Sequence, residues 1–390
     1  MRKLAVAGAV PASEAPARHS LADRHDLWLM GALAAILTLG LVMVASASIA
    51  LADRQTGQPL YYLWRQLGYT GAGVLLMALT TRIPLARWRA HGPLLLFASV
   101  VLLGLVLVPG VGREVNGSYR WIPLGPINMQ PSELAKLFMI LFLAGYLVRR
   151  GHEVRARFSG FAKPMALLVG ISGLLLMEPD YGATAVLFAT TLGMLFLGGV
   201  PLVLFLGWVA AGLGVMVAMV LLAPYRLQRL TTFMDPWVDP FNTGFQLTQA
   251  LIAVGRGQWL GVGLGGSVQK LFYLPEAHTD FLVAVLAEEL GLLGVSVVVG
   301  LFAFVVLRAF QLARQAEDRE DPFAAYVGYG IGLSLALQAL VNVGVNLGAL
   351  PTKGLTLPLM SYGGSSMLVN CLAAGLLLRL AHEQRLGGAR

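Results

Sequence analysis

Charge is what this 390-residue chain has least of. Only 12% of its residues are Asp, Glu, Lys or Arg, where soluble domains carry about a quarter. So sparse a supply cannot cover a water-soluble protein of this length. Cysteine is almost missing as well. Cys371 stands alone in an apolar segment, which excludes a disulfide framework within the chain and leaves the redox compartment unmarked. There is no Walker motif, no HExxH and no Cys/His cluster with metal-ligand spacing. The stretch "GVGLGGS", residues 261–267, follows no strand and reads as loop punctuation. "MDPWVDP" is not the DxD that binds metal in nucleotide-sugar transferases. A nucleotide-sugar donor is therefore unsupported, and no low-complexity tract or internal repeat organises the chain.

What is abundant is apolar sequence. Hydrophobic residues make up 57% of the chain and mean hydropathy is +0.73. Each membrane-spanning helix takes roughly 20 apolar residues, and only helices or closed barrels satisfy the backbone in lipid. The runs here are long and do not alternate, so they predict an all-α polytopic membrane protein of about ten transmembrane helices. Residues 1–26 are expected to be a flexible cytoplasmic tail, 27–382 the ten-helix membrane domain and 383–390 a C-terminal cytoplasmic tail. Residues 224–280 form a long extracytoplasmic loop, or lid, between helices 7 and 8. The first apolar run ends in "ASASIALA", which faintly resembles a signal-peptidase site. It is far longer than the ~7–15 residues of a signal core, and reads as a retained first span.

Orientation follows from the basic residues. With the N-terminus inside, 18 of the 28 Lys and Arg fall on the inner side and nine on the outer, with Lys136 inside a span. Both termini are therefore expected in the cytoplasm. The net charge of +8 is mostly this inner bias and needs no nucleic acid to explain it.

Unusual polar residues gather on the outer side, and ionisable residues within a membrane mark functional sites by default. In "QPSELAK", Glu133 and Lys136 are three apart and share a helix face. They form either an ion pair that fixes packing or a cation site for an anionic head group. In "EPDYG", Asp180 belongs either to a solvated turn or to a cavity. In "AHTDFLVAVLAEE", Asp280 opens the eighth span, where a helix N-cap would by itself account for it. Glu288 lies about 80° round from Asp280 and ~12 Å deeper, and must face protein or water, as must Glu289. The Gly/Pro-broken "GALPTKGLTLPLMSYGGSS" precedes the last span. Its Ser365 and Ser366 either cap that span or help line a groove.

Together "QPSELAK", "EPDYGAT", "LPTKGLTLPLMSYGGSS" and the long stretch from "MDPWVDP" to "VLAEELG" closely resemble the SEDS (shape, elongation, division, sporulation) family. "FQLTQALIAVGRG" and "LPTKGLTLPL" look like its cell-division branch. The resemblance covers nearly everything after residue 27. It departs at Asn128, where many members carry a basic residue. It implies a septal peptidoglycan glycosyltransferase that polymerises lipid II at the outer face of the bacterial cytoplasmic (inner) membrane, by inverting transfer. Asp280 takes the place of the catalytic aspartate, as general base. The implied substrate-binding set is Trp121, Arg120, Glu133, Lys136, Asp180, Arg226, His278, Glu288 and Ser365. The undecaprenyl pyrophosphate that leaves needs cationic stabilisation, from Lys136, Arg120, Arg226 or a divalent cation, Mg or Mn. Implied partners are lipid II, a cognate class B penicillin-binding protein (FtsI) and the FtsQ–FtsB–FtsL complex. Two rival functions are a lipid II flippase and a non-catalytic division scaffold. The flippase needs polar groups along a path through both leaflets, whereas the inner halves of the spans look mostly apolar.

Overall fold

Asp26 opens the first helix as its N-cap, accepting the backbone N–H of Leu29 at 3.2 Å. The computed structural model describes residues 26–115, 117–125, 127–221, 231–352 and 354–387. The expected N-terminal tail up to residue 25 lies outside the described residues. Asp26 itself is buried and pairs with Arg308 at 2.6 Å.

Eleven helices and one small sheet carry the described architecture, beside a helical turn at 231–234. They run α1 (Leu27–Thr56), α2 (Tyr61–Thr81), α3 (Leu85–Val106), β1 (Arg113–Val115), β2 (Ser118–Leu124), β3 (Ile127–Met129), α4 (Pro131–Ala156), α5 (Phe158–Met177), α6 (Tyr181–Leu197), α7 (Leu202–Leu221), α8 (Phe245–Gly257), α9 (Leu282–Asp318), α10 (Pro322–Asn346) and α11 (Gly364–Gly387). Eight of these helices are long and apolar enough to cross a membrane. The 21-residue α2 and the 17-residue α6 stand where the sequence predicts the second and sixth spans. This is a multi-pass helical membrane protein. Helix α11 continues through residues 383–387, and Glu383 accepts the backbone N–H of Leu85 at the start of α3.

The helices differ in how much of themselves they bury. Four-fifths of the apolar window of α4 and α11 is inside the protein, whereas none of that of α7 is. A helix that is apolar all round and unburied by protein faces lipid. The most extensive pairings join α9 to α10 and α11 to α2.

Helix alternation brings the loops 57–60, 107–130, 178–180, 231–281 and 347–363 to one end of the bundle. The antiparallel β1–β2–β3 sheet there was not anticipated from the sequence. Trp121 of β2 stands opposite Arg113, and Ile122 opposite Met129. The irregular stretch before α11 is satisfied from within the protein, as backbone at membrane depth must be. Asn342 of α10 donates to the Leu355 carbonyl at 2.6 Å, Ser361 Oγ accepts Leu357 N–H at 3.0 Å, and Tyr362 N–H reaches the His278 carbonyl at 3.0 Å.

Helix α9 is not continuous. Gly291 sits at φ 65° and ψ −165°, a conformation that side chains with a Cβ rarely adopt. The break frees backbone groups on both sides, and the loop after α8 takes them up. Val262 and Gly263 donate to the carbonyls of Glu288 and Glu289, while Leu292 and Leu293 donate to the carbonyls of Gln258 and Trp259. The loop is thereby spliced into the helix by four backbone hydrogen bonds, at 2.9–3.2 Å.

Candidate active site

The start of α9 is gripped by the end of α10. Asn342 and Asn346, one turn apart, both donate side-chain N–H groups to the backbone carbonyl of Asp280, at 3.0 and 2.9 Å. Asn346 Oδ1 accepts the backbone N–H of Ala284 at 3.0 Å. The N-cap position of α9 is Phe281, and no side chain of its own segment caps the helix. The alternative reading, that Asp280 is there to cap this helix, does not hold. Asn346 satisfies the orphan N–H from outside, and the Asp280 carboxylate is left for other work.

That carboxylate is half-buried and makes no hydrogen bond among the described residues. It lies against Gly354, where an added Cβ would stand 3.4 Å from Oδ2. Burial pushes its pKa up to about 7. The negative charges of Glu276 and Asp180 push the same way, and Arg120 opposes them. A base with a pKa near the working pH is well matched to proton transfer.

Asp180 is 3% exposed, not part of a solvated turn. Oδ1 caps α6 through Ala183 N–H at 3.1 Å, and Oδ2 accepts from Gln130 and Ser132 at 3.2 and 3.1 Å. Arg120 reaches across from β2 to the carbonyls of Glu178 and Pro179, at 2.9 and 2.6 Å. Beside it the Glu178 carboxyl is fully buried without a partner, and burial raises its pKa to about 8, with Asp180 adding to the rise and Arg120 opposing it. Ser365 stitches α11 to the β3–α4 junction, donating to the Asn128 carbonyl at 2.7 Å and accepting Gln130 N–H at 2.9 Å.

Further into the bundle, Lys136 Nζ lies 2.8 Å from both Glu133 Oε1 and Gln338 Oε1. Both members of the pair are buried, beside a cavity of ≈20 Å³ that Asn370 and Ser334 also line. That space suits a water molecule. His278 packs its ring against Tyr62 and Tyr362, with centroids 4.8 and 5.3 Å away. Burial lowers its pKa despite nearby Glu276. It stands as a neutral ring on an aromatic shelf. Arg65 of α2 joins the edge of this shelf, donating to the hydroxyls of Tyr61 and Tyr69 at 3.0 and 2.8 Å.

The expected site residues thus divide. Asp280, Arg120 and Asp180 come together electrostatically, Ser365 ties the strand junction that carries Gln130, and His278 lies two residues from Asp280. Trp121 neighbours Arg120 on β2, half-buried. Glu133 and Lys136 form a deeper pair. Glu288 is placed elsewhere. It is 0% exposed, and its oxygens are taken by Arg256, Ser267 Oγ and the backbone N–H groups of Val268 and Gln269. Arg226 lies outside the described residues. Sequence reasoning missed Asn342, Asn346 and Arg65. The signal for the first two was a pair of amides four apart in an otherwise apolar helix. For Arg65 it was a cation in the first turns of a predicted span. Among the described residues no three His, Cys, Asp or Glu converge to hold a metal ion.

Comparison with known proteins identifies the family and the overall fold. A family model described as "Cell cycle protein", FTSW_RODA_SPOVE, matches residues 27–386. A relative from Thioalkalivibrio sulfidiphilus, named "Probable peptidoglycan glycosyltransferase FtsW", is 58% identical over 366 residues, covering 93% of this chain and 91% of its own. A relative of the same name from Nitrosococcus halophilus is 57% identical over 360 residues, covering 92% and 93%. Among solved structures, one from work on "structural coordination of polymerization and crosslinking by a peptidoglycan synthase complex" superposes with a TM-score of 0.75 at 35% identity, over 93% of this chain and 98% of that one. The crystal structure of the Thermus thermophilus rod shape determining protein RodA gives 0.68 at 31% identity, over 93% and 97%.

Proposed function

The chain belongs to the cell cycle protein family FTSW_RODA_SPOVE, and from that premise we propose how its loop end carries out the chemistry. The enzyme is a peptidoglycan glycosyltransferase of septal wall synthesis. Its substrate is lipid II, and Asp280 is the general base. The ionised carboxylate takes the proton of the acceptor's GlcNAc 4-hydroxyl. The oxygen attacks C1 of the donor MurNAc from the face opposite the leaving group. The bond from C1 to the phosphate oxygen breaks with inversion, and undecaprenyl pyrophosphate departs with the electron pair.

The observation that carries this reading is the Asp280 carboxylate itself. Its backbone is held by two asparagines, its oxygens are without hydrogen-bond partners, and its pKa is raised to about 7. Arg120 is the described cation nearest this chemistry. Two of its guanidinium nitrogens fix the 178–179 turn, and the remaining one is available to the pyrophosphate. Lys136 is already shared between Glu133 and Gln338, so its part is to hold α4 against α10 beneath the site. No step is routed through a metal ion.

The excess of Lys and Arg in the other set of loops supports cytoplasmic termini, with the loop end outside the bacterial inner membrane at the division septum. A class B penicillin-binding protein (FtsI) and the FtsQ–FtsB–FtsL complex complete the assembly. The testing experiment is lipid II polymerisation by the purified protein with that penicillin-binding protein, wild type beside Asp280→Asn. Glycan strands from wild type and none from a folded, partner-bound variant are expected. Equal strands from both would remove Asp280 from the mechanism. No strands from either would favour the flippase or the scaffold.

A further inference from the structure

The end of the bundle away from Asp280 is charged unevenly. Residues 82–91, the α2–α3 turn and the start of α3, carry three arginines and no acid. Residues 149–163, around the α4–α5 turn, carry five cations and one acid, Glu153. At the same end, residues 308–321 of the α9–α10 turn set four acids against three arginines. The general preference of Lys and Arg for one side of a membrane puts cations at this end. It does not gather them at one corner of it.

Helices α3, α4 and α5 build that corner. Gly92 of α3 abuts the backbone of α4, where an added Cβ would stand 3.4 Å from the Leu141 carbonyl oxygen. The two helices run antiparallel, so one turn nearer this end Trp88 and Arg89 come level with Gly145. The regular part of α4 stops at Arg150, whose φ of −129° and ψ of 16° are non-helical. Arg149 is its last residue, and the guanidinium turns back along the helix. Nη1 lies 3.1 Å from where a Cβ on Gly145 would be. Helix side chains tilt towards the N-terminus, and the bare glycine leaves room. The charge is thereby carried ~6 Å towards the membrane, the reverse of the usual reach of an arginine for water. Arg89 and Arg149 are exposed and make no hydrogen bond or ion pair among the described residues.

A second pair of cations, Arg157 and Lys163, stands exposed at the start of α5. Both lie near Glu153, which already pairs with Arg150. Arg155 is committed elsewhere, donating to the Gly198 carbonyl at 2.9 Å. Further into the membrane, α3 presents Leu94 and Phe97, 62% and 65% exposed.

We propose that this corner binds an anionic phospholipid carrying two phosphates, in the leaflet opposite the reaction. One phosphate sits at Arg89 and Arg149 and the other at Arg157 and Lys163, with acyl chains along Leu94 and Phe97. Basic pockets between membrane helices take such headgroups. An acidic protein segment would call for cations standing out in water, whereas the Arg149 charge is drawn back to headgroup level above an apolar wall. The inference is independent of the chemistry at Asp280.

The test uses the full-length protein in neutral detergent, titrated with cardiolipin, phosphatidylglycerol or phosphatidylethanolamine, with bound lipid counted by native mass spectrometry. Wild type is expected to hold cardiolipin at least tenfold more tightly than either other lipid. A cation at the membrane surface is worth about fivefold in binding, so Arg149→Gln should weaken cardiolipin about fivefold, and Arg89→Gln with Arg149→Gln about 25-fold. Gly145→Ala keeps every charge but crowds the guanidinium out of its place, and should weaken cardiolipin severalfold. Arg314→Gln, exposed at the α9–α10 turn, should leave it unchanged. Melting temperature without lipid is the folding control. Equal losses in Arg149→Gln and Arg314→Gln overturn the site, since binding then follows total charge alone. Cardiolipin held no more tightly than phosphatidylglycerol overturns the two-phosphate assignment. A polyglutamate peptide is titrated alongside. Peptide binding that falls in Arg149→Gln while lipid binding stays level overturns the lipid and makes the corner a protein contact.

Discussion

Helix α9 treats its acids in two opposite ways. Asp280, at its mouth, has its backbone secured and its carboxylate left without a hydrogen-bond partner. Eight and nine residues on, Glu288 and Glu289 are fully buried and every oxygen is engaged. Glu289 accepts from Ser46 Oγ at 2.7 Å and Lys270 Nζ at 2.6 Å, and Glu288 from Arg256, Ser267 and two backbone N–H groups. A buried carboxylate with its hydrogen bonds met is a fastening, whereas one with them unmet is costly and persists only where something else requires it. The difference separates the group we propose as the base from those that hold the lid to α1 and α9.

Four substitutions press on that contrast. The largest effect is expected at Asp280. Removing a general base typically costs ~10²–10⁴ in rate, so Asp280→Asn is expected to cut strand synthesis by at least about 100-fold. It should leave the melting temperature unchanged or higher. The wild-type rate should rise with pH through about 7, because the base acts deprotonated and its pKa is raised to that value. Stability should move the other way. Asp280 holds its proton more tightly folded than unfolded, so its contribution is full below its unfolded pKa and is lost as pH rises through about 7. Melting curves at pH 5 and 8 should show a larger loss in wild type than in Asp280→Asn, in which Glu178, with its pKa raised to about 8, still titrates.

Glu289→Ala reverses the pattern. It strands Lys270, and breaking a buried pair from one side costs about 3–5 kcal/mol. The expected reading is a large drop in melting temperature, with activity lost through the fold. Asn346→Ala sits between the two. It loses one grip on the Asp280 carbonyl and the bond to Ala284 N–H. Unmade buried hydrogen bonds cost about 1–3 kcal/mol each, so both stability and rate should fall, while the midpoint of the pH profile stays in place. Arg256→Ala should do least. Arg256 is 45% exposed and Glu288 keeps three other donors, so a loss of ~1 kcal/mol or less is expected. A melting shift as large as that of Glu289→Ala would show that the two acids do not share the load as described.

Much of this was legible in the residues. The spans were, because about twenty apolar residues in a row have few other folds open to them. Asp280 was, because an acid at the entrance to an apolar helix stands out against its surroundings. So were the Glu133–Lys136 pair, three apart on one face, and the acid in the "EPDYG" turn. What escaped was long-range. The partners of Glu288 and Glu289 lie up to 243 residues away, and no local pattern announces Ser46. The grip of Asn342 and Asn346 depends on α10 ending beside the start of α9. The break at Gly291 escaped for another reason. A glycine inside an apolar helical pattern is ordinary in sequence, and only the loop that fills the gap shows that the helix stops there.

That break fixes which part of the protein carries Asp280, the proposed base. Between Phe281 and Gly291 lie nine helical residues, a strut of ~13 Å. One end is clasped by Asn342 and Asn346, and the other is stitched to the loop of residues 258–263. The strut is jointed to the rest of α9 through a single glycine, so mechanically it belongs with the lid. Aiming the carboxylate is then the task of a short rod pinned at both ends, and the long membrane helix that follows serves as its mount.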